Sequence, residues 1–325
     1  MGAGQERALR RRIKSVNSTR KITRAMELIA ASRIAKAQHA IAAARPYVNA
    51  MSELLVGLAR NYEARRHAIF SESESIEGVA VVVVSADRGL CGAYNSNILR
   101  TAERLIKDHQ EAGRVCKVVA IGKKAQGYFR YRGYEIDKSF LGMTDQPKFT
   151  DASLVGKQVS ELMLQPEINL VQIVYTQFIS LGTQKVVTEQ IYPVVADGLL
   201  QGPTADSANG PELDGAGGGT SAGTGAGAGG GLSAASPLMY IDYEFEPDSD
   251  ILIDNLVPRV LETRIFGSLL DASASEHASR QRAMKAATDN ADEFAKNLTR
   301  QMNRARQDSI TTEIMEIIGG AEALG

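Results

Sequence analysis

Along the first sixty positions, apolar residues recur at alternating steps of three and four. From Ile34 the series runs Ile34, Ala37, Ile41, Ala44, Val48, Met51, Leu55 and Leu58, the spacing of a coiled-coil seam. A looser version precedes it: Leu9, Ile13, Val16, Ile22, Met26 and Ile29. No glycine falls between residues 5 and 56, so the pattern predicts one long helix over 5–62. Pro46 removes a backbone donor and is expected to bend this helix locally, not to end it.

The period changes after a polar stretch at 63–77. Val79 to Val84 is a continuous, β-branched apolar run, as expected of a strand buried on both faces. Further strands are predicted at 114–122, 168–180 and 184–194, with helices near 96–111, 123–132 and 151–164. Strands alternating with helices imply an open α/β sheet. Residues 199–236 have nothing to bury, and eleven of the twenty-two positions from Gly210 to Gly231 are glycine. They predict a flexible spacer, mobile over 203–233.

Helical periodicity returns from Asp248, with Asp248 or Ser249 as the expected cap. No Gly or Pro occurs from Ser268 to Ile318, enough for about 75 Å of helix. Ala287, Ala291, Phe294, Leu298, Met302 and Ala305 form its expected seam, and Gly319 and Gly320 are expected to loosen its end. Each terminal helix is too long for a compact fold to bury and carries only a narrow apolar stripe, so the two are expected to pair. The predicted fold class is α/β: a long antiparallel coiled coil formed by the N- and C-terminal helices, plus a Rossmann-like α/β middle domain. The chain divides into a shaft helix (1–65), an α/β foot (78–198), the Gly-rich loop (199–236), a short foot segment (237–247) and a second shaft helix (248–325).

Register follows from equal rise per residue. If the helices meet near residues 62 and 249, facing residues sum to about 311 or a little less. Arg280 then lies near the level of Met26, and Gln5 opposite roughly residue 303. Some twenty residues, about 30 Å, would project as a single helix, leaving Ile310, Ile314, Ile317 and Ile318 without a seam.

Charge changes the picture at one end. The net charge is −1, yet residues 5–36 hold ten Arg or Lys against Glu6 and Glu27. Such a face needs an acidic partner or an acidic surface nearby. Nucleic acid is disfavoured because no aromatics interleave with the basic residues. The two cysteines, Cys91 and Cys116, make no disulfide framework. The charged start and the lack of a long apolar run predict neither a signal peptide nor a membrane span. The segment SADRGLCGAYN (85–95) sits between a strand and a helix but matches neither common phosphate-binding glycine pattern. The four histidines lack metal-ligand spacing, and no Ser or Cys is paired with a base. No catalytic, cofactor-binding or metal-binding residue is therefore expected.

Four stretches, however, are distinctive together. The C-terminal ITTEIMEIIGGAEA (310–323) carries Ile310, Thr311, Glu313, Glu316, Gly320 and Ala321 at the spacing of the signature of ATP synthase gamma subunits. RIKSVNSTRKITRAMELIAASRIAKAQ (12–38) is similar to that family's first helix, and SADRGLCGAYN to the first strand–turn of its middle domain. SEHASRQRAMKAATDNA (275–291) resembles its C-terminal helix. The resemblance covers nearly the whole chain except 199–236, where the family has a short polar connection.

It implies a non-catalytic rotor subunit, one copy per complex. Its coiled coil would turn inside a ring of three alpha and three beta subunits and couple the membrane c-ring of a proton-translocating ATP synthase to ATP synthesis. Met26 matches a position facing an acidic loop of beta, and Arg280 a nearby shaft position. Gln307, Thr311 and Glu313 match ring contacts, and Tyr243, Phe245 and Glu246 match the segment that meets the c-ring. The foot would also hold the epsilon subunit. The lack of a chloroplast-type cysteine insert and of a transit peptide implies a bacterial enzyme, with this subunit peripheral on the cytoplasmic face of the plasma membrane.

Overall fold

The computed structural model describes residues 2–60, 69–70, 75–194 and 249–322. The Gly-rich segment and Tyr243, Phe245 and Glu246 lie outside the described residues, as does the expected cap Asp248. The elements are α1 (Gly2–Arg60), β1 (Gly78–Val84), α2 (Tyr94–Glu111), β2 (Val115–Ile121), α3 (Lys123–Tyr131), β3 (Ile136–Phe140), α4 (Phe149–Met163), β4 (Leu170–Phe178), β5 (Gln184–Tyr192) and α5 (Ser249–Glu322).

The strands form one sheet in the order β3-β2-β1-β4-β5. All neighbours are parallel except β4 and β5, which run antiparallel. Central β1 is buried along its whole length, which is why its sequence reads as an unbroken apolar run. Edge strand β3 (IDKSF) has no such run and is only partly buried, so apolar patterning does not reveal it.

One sheet face packs on α2 and α3, where Val79, Val81 and Val83 meet Ile98, Ala102, Ile106 and Phe129. The other face is covered by α4 and by α5. Val82, Ile173 and Ile191 share a core with Val155 and Val159 of α4 and with Leu261, Ile265 and Leu269 of α5. The second shaft helix therefore serves both parts, because the lower half of α5 is itself a layer of the α/β domain. Gly156 of α4 permits this approach: a Cβ there would stand 2.9 Å from Cγ of Glu262. Where α1 joins the base, Met51, Leu55 and Leu58 pack with Ile69, Val194, Ile253 and Val260.

The two long helices pair antiparallel. The seam from Ile34 to Leu58 is buried or half-buried at every position that the spacing marks. Higher up, the seam keeps most of the expected positions, with Leu9, Ile13, Val16 and Met26 half-buried, but departs from them at three. It runs through Arg20, Thr23, Glu27 and Ala30, while Ile22 and Ile29 face outward, 59% and 54% exposed. On α5 it passes through Met284, Thr288, Ala291, Ala295 and Leu298. Phe294 is turned out beneath the Arg12 guanidinium, 5.8 Å from the ring centroid. Small and hydroxylic side chains take the seam here because the helices can approach closely, whereas counting hydrophobicity alone favours their larger neighbours. Pro46 lies inside α1, as expected, and Pro258 inside α5. Gly319 and Gly320 do not end α5, which continues to Glu322.

Candidate functional site: shaft, junction and tip

Three regions along α5 carry the residues singled out by the sequence. In the upper shaft, the Thr23 and Thr288 hydroxyls meet at 2.8 Å in the buried seam. Thr288 also donates to the Met284 carbonyl at 2.8 Å. Arg20 pairs with Asp292 across the seam. These contacts put facing residues at sums of 311 and 312, the predicted register. Met26 is half-buried at the edge of this seam. Around it the basic face is partly neutralised: Arg20 and Arg33 pair with Asp292 and Asp145, and Arg24 pairs with the buried Glu27 at 2.9 Å on its own helix.

Arg280 does not face outward, as a ring-contact role would require. It is buried, and its guanidinium turns toward the α/β domain. Nη2 donates to Glu276 Oε1 at 2.5 Å and to the Gly89 carbonyl at 3.3 Å, and Nε reaches the same carbonyl at 3.4 Å. By the observed register it lies some five residues, about 8 Å, from the level opposite Met26.

Around Arg280 is a cluster that the sequence did not single out, because its members come from four separate segments. Asp145, in the β3–α4 loop, pairs with Arg33 of α1. Its carbonyl oxygen lies 3.0 Å from His277 Nε2, and His277 Nδ1 lies 3.2 Å from Arg280 Nη1. Glu276 sits within this group with Oε2 buried and, among the described residues, without a hydrogen-bond partner. Burial pushes its carboxyl up to about 7, against the opposing pull of Arg280. Burial likewise lowers the pKa of His277. Asp145, Glu276 and His277 lie close enough to converge on a cation, yet Arg33 already pairs with Asp145 and Arg280 occupies one oxygen of Glu276. The arrangement is an ion-pair junction between shaft and domain.

The strand–turn segment 85–95 also resolves physically. Asp87 Oδ1 accepts the Lys123 amide at 3.1 Å, at the start of α3. Its Oδ2 accepts the Gly142 amide at 2.9 Å and the Thr144 hydroxyl at 3.0 Å. A carboxylate from the β1–α2 loop thus caps the N-terminus of α3 and ties it to the β3–α4 loop. Gly122, at φ 91°, closes the same turn, where a Cβ would fall 2.3 Å from the Ser85 carbonyl oxygen.

At the tip, α1 begins at Gly2, opposite about residue 309. The last thirteen or so residues of α5, roughly 20 Å, have no helical partner. The overhang is shorter than predicted because α1 reaches Gly2. Gln307, Thr311 and Glu313 are exposed, with the Thr311 hydroxyl bonding back to the Gln307 carbonyl at 3.0 Å. Ile310, Ile314, Ile317 and Ile318 form one exposed apolar stripe, Ile317 at 71%. No helix among the described residues is long and apolar enough to cross a membrane.

Comparison with known proteins agrees with this geometry. The family model described as ATP synthase matches residues 5–324. A gamma chain from Parafrankia sp. is 40% identical over 326 residues, covering 99% of this chain and 98% of the relative. One from Saccharopolyspora erythraea is 39% identical, covering 98% and 97%. Among solved structures, a chain of the Euglena gracilis mitochondrial ATP synthase (OSCP/F1/c-ring, rotational state 3) aligns with TM-score 0.63 at 17% identity, over 99% of this chain and 95% of that one. A chain from the Tetrahymena thermophila mitochondrial ATP synthase central stalk and c-ring aligns with TM-score 0.58 at 20% identity, over 82% and 99%. At such identities the structural likeness speaks for the fold, while the sequence relatives and the family model span the chain: it belongs to the ATP synthase gamma chain family.

Proposed function

We propose that this chain is the central shaft of a rotary ATP synthase and transmits torque without catalysing a reaction itself. The observation that carries the reading is the continuity of α5. One helix, Ser249–Glu322, is built into the core of the α/β domain at one end and overhangs its partner as a single helix at the other. A torque applied to the domain passes along α5 with no hinge, and α1 stiffens it over most of its length.

Each surface fits a partner. The basic upper shaft around Met26 suits an acidic loop of beta. Gln307, Thr311 and Glu313, with the isoleucine stripe, suit a collar formed by the alpha–beta ring, in which the tip turns as in a bearing. Tyr243, Phe245 and Glu246 are assigned to the c-ring, and the α/β domain to epsilon as well. One copy serves each complex, peripheral to the membrane on the cytoplasmic face of a bacterial cell. Arg280 is reassigned from ring contact to the junction between shaft and domain. The test is reconstitution with alpha and beta subunits. The isolated chain should show no ATP turnover, and one copy should join six larger nucleotide-binding subunits and make their hydrolysis continuous. Assembly of a fully active hexamer that excludes the chain would refute the reading.

A further inference from the structure

The Glu276 junction has a property that the shaft role does not demand. Glu276 is 2% exposed and packed between the shaft and the β1–α2 loop. Oε1 is held by Arg280, which also grips the loop through the Gly89 carbonyl. Oε2 has no donor among the described residues. The charged and titratable groups facing it are Arg280 and His277 from α5, Asp145 from the β3–α4 loop and Asp87 from the β1–α2 loop. Cys91 of the same loop and Tyr94 at the start of α2 complete the set, and Arg33 of α1 stands behind Asp145. The loop itself stores strain, since Leu90 is held at φ 63° with its side chain exposed, a conformation that costs a non-glycine residue.

We propose that Glu276 is a proton-operated latch between the shaft and the β1–α2 loop. With the carboxyl protonated, the junction is closed. Once Glu276 ionises, a charged oxygen is buried without a donor, which is costly. The cheapest relief is to let the loop lift from Arg280 and admit water, releasing the Leu90 strain at the same time. Linkage fixes the direction: the closed junction binds the proton more tightly than the open one, so rising pH favours opening. The closed carboxyl titrates at about 7, which places the change around neutrality. The stiffness of the tie between domain and shaft then depends on the pH of the surrounding medium.

Hydrogen exchange in the assembled complex tests this. Exchange of the segment 86–94 is compared with that of α3 (123–131) in the same sample, which cancels the intrinsic pH dependence. Between pH 6 and pH 8 the ratio should rise about tenfold in the wild type, the size that linkage gives for a closed-state value near 7 and an ordinary open-state one. Glu276→Gln, a neutral isostere of the acid, should abolish the rise. Asp271→Asn, which removes a half-buried carboxyl elsewhere on α5, should retain it. A flat wild-type ratio overturns the proposal with no variant needed, as does a rise that survives Glu276→Gln or disappears in Asp271→Asn.

Discussion

The hydroxyls of Thr23 and Thr288, 2.8 Å apart and buried, fix the register of the whole shaft. Residues 265 apart in sequence meet there, and every level above and below follows from the common rise of the two helices. Cysteines replacing Thr23 and Thr288 are therefore expected to crosslink rapidly under mild oxidation. Cysteines replacing Met26 and Thr311 are expected not to react within one chain, because about 40 Å separates their levels. Mobility of the two crosslinked products on non-reducing gels decides. Fast intramolecular closure of the second pair would mean that the register and the overhang are both wrong.

The tip should behave as a helix that is stable only in its bearing. In the isolated chain, amides of 310–322 are expected to exchange far faster than those of 284–298, which lie in the paired seam. Changing Ile314 and Ile317 to Glu should alter the stability of the isolated chain by no more than about 0.5 kcal/mol, because both side chains are already exposed. In the reconstituted complex the same change should impair turnover. Slow exchange of the free tip would remove the reason for assigning it a collar.

Much of this shaft was legible in the sequence. The step-three, step-four series from Ile34 to Leu58 marked the lower seam because large apolar residues fill it. Valines 79, 81, 82, 83 and 84 marked the central strand for the same reason. The upper seam misled because Thr23, Thr288 and Ala295 are small or polar, so Ile22, Ile29 and Phe294 looked like better candidates. The junction around Glu276 was invisible for a different reason. Its parts lie at residues 33, 87–89, 145 and 276–280, and only the packing of α5 against the sheet brings them together. The inward setting of Arg280 was hidden on the same ground, since its guanidinium binds a carbonyl and a carboxyl oxygen inside the protein.

Stability should carry the signature of the buried acid. The Glu276 carboxyl is raised from its ordinary value near 4.5 to about 7 by burial. The native state therefore holds this proton more tightly than the unfolded chain. The contribution is fully present below about pH 4.5 and is lost as pH rises through 7. Glu276→Gln should remove up to roughly 3 kcal/mol of this decline. Chemical unfolding of the full chain at pH 5 and pH 8 measures it. An identical decline in the variant would show that the carboxyl is not buried as described.

Met26→Lys is expected to affect coupling more than assembly. The position is half-buried at the edge of the seam, so a lysine can snorkel outward without opening the core. Its charge would add an ion pair to the proposed acidic partner, where contacts must break at every step. The complex should assemble and hydrolyse ATP but pump fewer ions per ATP. Unchanged pumping per ATP would displace Met26 from that contact.

The central claim is that the chain turns as one rigid body. Its most direct test immobilises the reconstituted complex through the beta subunits, attaches a bead to a cysteine introduced at the exposed Lys123 of the α/β domain, and supplies ATP. The account predicts stepwise rotation in one direction, which stops when the shaft is crosslinked to a beta subunit and resumes on reduction. A bead that stays still while ATP is hydrolysed at full rate would contradict it.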